Sequence, residues 1–152
     1  FKQIGTDWML VTAGKTEKHN TMTASWGGLG VLWNKNVCYV FVRPSRYTFE
    51  FMEQSDTFSL SFFDSNYRNA LNLCGSKSGR DIDKEKLTGL IPVKGENDTV
   101  YYEQARLVME CKKLYFQDLT PDNFLDQSIE KFYAQKDYHR MYVAEILTCH
   151  TK

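Results

Sequence analysis

The pattern of apolar and polar positions along the chain predicts a protein built mainly of β-strands. Nearly continuous apolar runs predict buried strands, whereas strict alternation predicts strands with one face in the core. The first kind covers 8–13 and 37–42, the second covers 20–26 and 57–63, and two longer strands are predicted over 100–115 and 138–149. Because polar turns join the first two strands, we expect an antiparallel hairpin there.

Short helices are predicted in the connections between the strands. They cover 46–54 with Ser45 as N-cap, 66–73, a segment ending at Leu90 that Asp81 or Asp83 caps, and 123–132, while 92–98 is expected to be a loop with an edge strand at best. Strands and helices do not alternate regularly, which disfavours a parallel doubly wound sheet. The predicted fold is mainly β, an antiparallel barrel, closed or partly open, with helical inserts.

Length, charge and cysteine spacing restrict the class of protein. A chain of 152 residues with a formal net charge of +0 suits one domain over 1–152 and shows no global field for nucleic acid or an anionic membrane. We also expect no membrane-spanning segment and a numbering that begins inside a longer chain, since residue 1 is Phe1. The four cysteines form no C-x-x-C pair, so we expect no zinc and a cytoplasmic protein with reduced thiols, although an even number also permits a disulfide.

The segment from Asn20 to Gly28 is unusual among the predicted strands. Thr21, Thr23 and Ser25 alternate with Met22, Ala24 and Trp26, and glycines follow at 27, 28 and 30. Such a segment is either a core strand that ends in a bend or a strand against which a flat, amphipathic ligand lies. Strict alternation predicts Trp26 on the inward face, together with Met22 and Ala24.

Two polar segments have the composition of an anion site. The first joins a strand to a predicted helix and contains Arg43, Ser45, Arg46, Tyr47 and Thr48, and the second contains Ser76, Lys77, Ser78, Gly79, Arg80 and Lys84. Free N–H groups at a helix start favour an anion, and arginine, lysine and hydroxyl groups add charge-assisted hydrogen bonds. The alternative interpretation is two solvated loops.

Side chains for nucleophilic or metal-assisted catalysis are not indicated. No serine lies in a G-x-S-x-G context, and the three histidines show no H-x-x-x-H spacing. His139 is more typical of a capping or interface residue than of a general base. Asp81 and Asp83 are better explained as helix caps than as a catalytic carboxylate pair.

Three motifs, taken in order, resemble the flavin reductase-like FMN-binding proteins, and within them the flavoredoxin-like branch. The motifs are Asn20-Thr21-Met22-Thr23-Ala24-Ser25-Trp26-Gly27, Arg43-Pro44-Ser45-Arg46-Tyr47-Thr48, and Cys74-Gly75 to Ser78-Gly79-Arg80-Asp81 with Lys84. The resemblance implies an antiparallel split barrel, a homodimer, and one FMN per subunit near the interface. It implies that Asn20, Met22, Thr23, Ala24, Ser25 and Trp26 line the isoalloxazine ring and the ribityl chain. It also implies a phosphate region with Arg43, Ser45, Arg46, Thr48, Ser78, Arg80 and Lys84, cofactor contacts from Tyr47 and Gly79, and an approach of His139 to the flavin, from its own or the other subunit.

The activity that the resemblance implies is a flavoprotein oxidoreductase, transferring hydride or electrons between NAD(P)H, flavin and an acceptor. The flavin would carry the chemistry, so no side chain is expected to be catalytic. Two alternatives remain open at the level of sequence. The protein could be an electron carrier that a protein donor reduces, without a nicotinamide reaction of its own, or a barrel that binds no flavin.

Overall fold

Nine β-strands and four α-helices make up the computed structural model, which describes residues 1–152. In chain order they are α1 Lys2–Gly5, β1 Met9–Lys15, β2 Lys18–Ala24, β3 Gly27–Leu32, β4 Lys35–Val42, α2 Tyr47–Gln54, β5 Thr57–Phe62, α3 Arg68–Ser76, α4 Lys84–Thr88, β6 Pro92–Lys94, β7 Val100–Tyr102, β8 Leu107–Asp118 and β9 Arg140–Thr151. Three short 3₁₀ helices cover Ser65–Tyr67, Pro121–Asn123 and Gln127–Phe132.

Seven of the strands form one antiparallel sheet in the order β2-β1-β5-β8-β9-β4-β3. The two edge strands, β2 and β3, are consecutive in sequence and only Ser25 and Trp26 lie between them. A two-residue connection between opposite edges requires the sheet to curl until those edges meet. The result is the predicted split barrel, with its seam at Ser25 and Trp26.

The main hydrophobic core lies inside the curled sheet. It includes Met22 and Ala24, which are 6% and 8% exposed and therefore point inward as their alternation predicts. A second cluster, which includes Leu10, Leu71 and Tyr102, lies outside the barrel wall and is covered by α3. Helix α3 thus buries the outer face of β1 and β2. Both faces of β2 are therefore covered over part of their length.

Two strand predictions are wrong. Residues 27–32 form β3 and not merely a bend, since Gly27 pairs with Val40 and Leu32 pairs with Lys35 on β4. The predicted strand over 100–115 is two strands, because a turn closes with Ala105 N donating to Tyr102 O at 3.0 Å. Regular alternation begins only at Ala105, and the two consecutive polar residues before it, Glu103 and Gln104, form the turn.

Gly27 explains why a glycine-rich segment can form a strand here. Its φ is +155°, and a Cβ atom at this position would lie 2.6 Å from the carbonyl oxygen of Tyr39. The backbones of β3 and β4 therefore approach too closely for a side chain. The same glycine lets the chain turn sharply away from β2 after Trp26.

The helix predictions are correct in place but not in every boundary. Asp83 caps α4 by accepting a hydrogen bond from Lys86 N at 3.0 Å, as one of the two predicted alternatives requires. Ser45 is not an N-cap, because α2 begins at Tyr47 after Arg46 and no side chain caps it. The helix predicted over 123–132 consists of 3₁₀ turns.

No helix is both long and apolar enough to cross a bilayer. All four cysteines are free thiols, and the sulfur atoms of Cys38 and Cys111 lie 3.6 Å apart in the core.

Candidate functional site

Two cavities meet at the seam of the barrel. The seam cavity has a volume of about 200 Å³ and is lined by Met22, Thr23, Ala24, Ser25, Trp26, Phe41, Arg43, Arg46 and His139. The basic cavity has a volume of about 160 Å³ and is lined by Asn20, Ser45, Arg46, Tyr47, Thr48, Ser76, Lys77, Ser78, Gly79, Arg80 and Lys84. Because Arg46 lines both, the two cavities adjoin.

The basic cavity lies at the start of α2. The amide groups in the first turn of a helix have no partners within the helix, and no side chain caps this one. Four cationic side chains, Arg46, Lys77, Arg80 and Lys84, line the same cavity. One of them, Arg80, forms an ion pair with Glu50 on α2. This combination of helix start and cations favours an anion.

Arg46 keeps its charge uncompensated. Its guanidinium donates to the carbonyl oxygens of Gly75 at 2.8 Å and Cys74 at 3.4 Å, and no carboxylate pairs with it. Burial, and then the nearby charge of Arg43, lowers the pKa of Arg46. These two carbonyl bonds orient the side chain between the cavities without neutralising it, so an anionic ligand would relieve the unpaired charge.

Lys84 is a buried cation at the floor of the basic cavity. The residue is only 4% exposed, and its Nζ donates to Thr21 O at 2.6 Å and to Cys74 O at 3.0 Å. An ammonium group has three N–H donors, so one remains for a ligand. Burial, opposed by the nearby Cys74, lowers the pKa of Lys84 to about 8.

Gly79 allows the second polar segment, which follows α3, to pack closely on β2. A Cβ atom on Gly79 would lie 2.0 Å from Oδ1 of Asn20. The Asn20 side chain in turn donates to Thr48 Oγ1 at 2.7 Å and so links β2 to the start of α2. Three segments distant in sequence are thereby held around one anion-sized space.

Trp26 does not lie on the inward face of a strand, which corrects the prediction from alternation. Strand β2 ends at Ala24, and Trp26 is 43% exposed. Its ring packs edge-on against Phe132, with centroids 5.4 Å apart, and lies 5.2 Å from the ring of His139. The chain leaves the sheet at the seam, and Trp26 therefore forms an aromatic wall of the seam cavity.

The hydroxyl groups of β2 are largely used within the protein. Thr21 is 1% exposed and its Oγ1 lies 2.9 Å from the hydroxyl of Thr12, while Thr23 Oγ1 donates to Leu71 O at 2.5 Å. These two hydroxyl groups therefore do not form an open polar face toward a ligand. Helix α3 covers that face, which the sequence pattern of β2 does not show.

Arg43 lines the seam cavity and not the basic cavity. Its Nη1 donates to Asp137 Oδ1 at 2.8 Å, and Nη2 donates to Phe132 O at 2.8 Å. The carboxylate of Asp137 therefore forms an ion pair with this guanidinium. Arg43 therefore ties the segment before β9 to the end of β4.

His139 reaches the seam cavity from its own chain. Its ring nitrogen Nδ1 lies 2.8 Å from the hydroxyl of Tyr133, and the residue is 8% exposed. Burial, and then the charge of Arg43, lowers the pKa of His139 to about 4. The imidazole is therefore neutral near pH 7.

All sixteen residues predicted for the site line one of the two cavities, with Arg46 in both. Their binding roles stay predictions. Sequence reasoning missed Phe41, because an aromatic residue in an apolar strand gives no indication that it borders a cavity. Ser76 and Lys77 belong to the predicted second polar segment but were not assigned to the site, although their composition matches that of their neighbours. The structure holds no cluster of three or more histidine, cysteine or acidic side chains for a metal.

Solved structures with the same fold include several flavin proteins. Flavoredoxin from Methanosarcina acetivorans is 22% identical with a TM-score of 0.76, over 96% of this chain and 68% of that chain. The FMN-binding protein from Thermus thermophilus is 20% identical with a TM-score of 0.76, over 95% and 71%. The NADH:FAD oxidoreductase SgcE6 of Streptomyces globisporus C-1027 is 16% identical with a TM-score of 0.73, over 96% and 75%.

A comparison with curated proteins found no match. The family model described as the flavin reductase like domain matches residues 1–152, the whole length of the chain. The split barrel, the two adjoining cavities and this match lead to one assignment. The chain belongs to the family of flavin reductase-like domains.

Proposed function

We propose that the protein binds FMN and acts as a flavoprotein oxidoreductase, accepting hydride from NADH or NADPH and passing electrons to an acceptor. The observation that carries the proposal is the pair of adjoining cavities that share Arg46. One is cationic and sized for an anion, and the other has aromatic walls. A flat aromatic ring joined to a phosphate monoester matches the two cavities, since its ring suits the aromatic walls and its phosphate suits the cations.

The basic cavity is proposed to hold the phosphate. Arg46, Lys77, Arg80 and Lys84 supply charge, and the start of α2 supplies backbone N–H groups. The hydroxyl groups of Ser45, Thr48 and Ser78 line the same space. The close contact at Gly79 keeps the second polar segment against Asn20. The hydrogen-bond donors for a phosphate are therefore already in place.

The seam cavity is proposed to hold the isoalloxazine ring, between Trp26, Phe41 and His139. Ser25 and Trp26 lie between two strands, so their backbone groups are outside the ladders that pair β1 with β2 and β3 with β4. These groups are available to bond a ring edge. A bound flavin supplies the redox chemistry, and the residues bind and orient it.

The relatives support this proposal in both of its parts. The structural neighbours include proteins described as flavoredoxins, as an FMN-binding protein and as an NADH:FAD oxidoreductase. The family match covers the whole chain. Flavin binding is common to these descriptions, and a nicotinamide donor occurs in one of them.

A visible spectrum, followed by rapid mixing with NADH or NADPH, tests the proposal. We expect the purified protein to carry or take up FMN, and the nicotinamide to bleach the visible band of oxidised flavin. A colourless protein that takes up no FMN would refute flavin binding. Bound FMN that only a protein donor reduces would refute the nicotinamide reaction and identify an electron carrier.

We further propose that the protein is a homodimer whose interface includes β3 and the neighbouring ends of β8 and β9. Large apolar side chains are exposed there: Leu29, Val31, Trp33, Tyr115, Phe116 and Leu147, with Val31 71% exposed. An apolar surface of this kind on an edge strand is typical of an interaction site.

Light scattering after gel filtration should give twice the chain mass, and Val31→Lys should shift the measured mass toward one chain mass. A monomeric parent protein would contradict the proposal.

We also infer that the protein works in the reducing cytoplasm. Its four thiols are free, and the Cys38–Cys111 pair in the core is not joined. Quantification of free thiols in protein purified under air, after denaturation, should find all four.

A further inference from the structure

Tyr133 is a buried tyrosine in the segment between β8 and β9. The residue is 4% exposed, and it lines neither the seam cavity nor the basic cavity. Its ring stacks on that of Phe124, with centroids 5.8 Å apart, and the guanidinium carbon of Arg43 lies 4.9 Å from the Tyr133 centroid. These contacts restrict the ring, so the hydroxyl group is held at one position, 2.8 Å from His139 Nδ1.

The hydroxyl of Tyr133 is the donor in this contact. His139 Nδ1 is its one hydrogen-bond partner. If Nδ1–H donated to the phenol oxygen, the buried O–H group would have no acceptor, and an unpaired buried donor is costly. If the hydroxyl donates, both groups are paired. The neutral imidazole therefore carries its lone pair at Nδ1 and its proton at Nε2.

The other ring nitrogen of His139, Nε2, makes no hydrogen bond within the protein. Ser61 Oγ is the one side-chain nitrogen or oxygen atom that is both fully buried and without a partner, so Nε2 reaches accessible space. His139 lines the seam cavity, and its ring packs near those of Trp26 and Phe41, with centroids 5.2 and 6.4 Å away. The Nε2–H group is therefore available to a ligand in the seam cavity.

An uncharged N–H donor beside aromatic walls suits a carbonyl oxygen on a flat ring. The guanidinium groups of Arg43 and Arg46 also line this cavity, but they are charged and already donate to protein oxygens. Burial lowers the pKa of His139 to about 4, so its imidazole adds no positive charge near pH 7. Nε2–H can bond a ring carbonyl oxygen as a neutral donor.

We propose that Tyr133 is a positioning residue, which fixes the tautomer and the orientation of His139 so that Nε2–H donates to a ring carbonyl oxygen of the flavin. The tautomer follows from contacts within this chain, whereas the acceptor rests on the proposed flavin binding. Tyr133 itself lines neither cavity. Its effect on the ligand therefore passes through His139.

Nitrogen NMR of the isotope-labelled, flavin-free protein tests the tautomer, because protonated and unprotonated imidazole nitrogens have well-separated chemical shifts. The chain has three histidines, and the spectrum of His139→Leu identifies the signals of His139 by their absence. We expect an unprotonated Nδ1 and a protonated Nε2 in the parent protein near pH 7, and a mixture of tautomers in Tyr133→Phe. The opposite tautomer, or a mixture, in the parent protein would overturn the proposal whether or not flavin binds.

Riboflavin, which lacks the phosphate of FMN, separates the ring contact from the basic cavity. Its addition should shift the Nε2 signal of His139 more than the Nδ1 signal. We expect Tyr133→Phe to weaken riboflavin and FMN binding by the same factor, about threefold to tenfold, which is the scale of one hydrogen bond. A parent protein that binds neither ligand would refute the proposed function and the flavin contact, and the NMR spectrum would still decide the tautomer.

A double-variant cycle distinguishes positioning through His139 from a general structural effect. In a His139→Leu background, Tyr133→Phe should cause no further loss of riboflavin affinity, because no imidazole remains to be positioned. Additive losses in the two backgrounds would overturn the proposal. Thermal unfolding shows whether each variant keeps its fold, and the tautomer of the parent protein carries the test if Tyr133→Phe does not.

Tyr138→Phe is the matched control. The ring of Tyr138 packs against that of Tyr133, with centroids 4.9 Å apart, but its hydroxyl donates to the carboxylate of Glu130. We expect this variant to keep both the riboflavin affinity and the His139 tautomer of the parent protein. Equal losses of affinity in Tyr133→Phe and Tyr138→Phe would overturn the proposal.

Discussion

The basic cavity and the seam cavity meet at Arg46, yet they are built from different kinds of contact. The basic cavity consists of two short polar segments near helix ends, and its cations are mostly free of carboxylates. The seam cavity draws on β2, β4 and the segment before β9, and its arginine, Arg43, is paired with Asp137 at 2.8 Å. Arg43 and Arg46 are three residues apart, but only Arg46 retains charge for a ligand.

The composition of a motif therefore does not decide which of its cations is available to a ligand. A carboxylate partner 94 positions away in sequence neutralises Arg43. Arg46 meets only carbonyl oxygens at the end of α3, which orient it and leave its charge. Substitutions and changes of pH can test whether charge, and not residue type, separates the two cavities.

Arg46→Ala should have the largest effect on the proposed cofactor. We expect FMN affinity to fall by roughly 1.5–3 kcal/mol, because a charge-assisted hydrogen bond to phosphate is lost. Fluorescence titration of FMN measures the change, and Arg46→Lys should recover part of it by keeping the charge. Unchanged affinity would remove Arg46 from the phosphate site.

Acidification should destabilise the seam cavity through His139. The folded-state pKa of about 4 lies below the ordinary value of 6.5, so the unfolded chain binds more protons between these pH values and stability falls as pH drops through this window. We expect roughly 2 kcal/mol of this loss to depend on His139. Urea unfolding at pH 7 and pH 4.5 measures it.

The variant His139→Asn supplies the control for that measurement, since asparagine does not titrate. Its unfolding free energy should fall less between the same two pH values. An equal fall in both proteins would show that other groups, and not His139, determine the acid sensitivity.

Raising the pH should weaken the basic cavity through Lys84. Its pKa of about 8 means that the ammonium loses its proton above that pH, and with it the attraction for phosphate. We expect FMN affinity to fall about fivefold between pH 7.5 and 9.5, roughly 1 kcal/mol. Lys84→Met should bind less tightly at pH 7.5 and show little further change. A parent protein with a flat profile would contradict the assignment.

Arg43→Ala should have the smallest effect on FMN affinity, less than about threefold. Its charge is already paired, so we expect the main consequence to be lower stability, of about 1 kcal/mol, from the broken ion pair. Titration with FMN and thermal unfolding measure the two effects separately. A loss of affinity as large as that of Arg46→Ala would erase the distinction between the cavities.

Local chemistry explains why the basic segments could be predicted. Helix ends, polar loops and clusters of arginine and lysine are properties of short segments, and Asp83 caps α4 in the way its sequence indicates. The inward positions of Met22 and Ala24 follow from strand periodicity in the same way. Each of these features requires only residues within a few positions of one another.

Features that depend on distant segments could not be predicted. Trp26 leaves the inward face because the sheet closes at the seam, and β3 forms because β4 provides a partner for a glycine-rich segment. The hydroxyl of Thr23 is used within the protein because α3 packs on β2. It donates to the carbonyl oxygen of Leu71, which lies 48 positions away in sequence. Periodicity reports which face of a strand is apolar, but not which element covers the other face.

Local propensity and composition are sufficient to predict the strand-rich character of this protein, its inward-facing core residues and the two basic segments. Contacts between distant parts of the fold were needed to show that these two segments line one cavity, and that Arg43 has a carboxylate partner while Arg46 has none. The physical reason is that a side chain's charge, exposure and partners depend on what folds against it. In a barrel closed by a two-residue connection, those neighbours come from distant strands and helices.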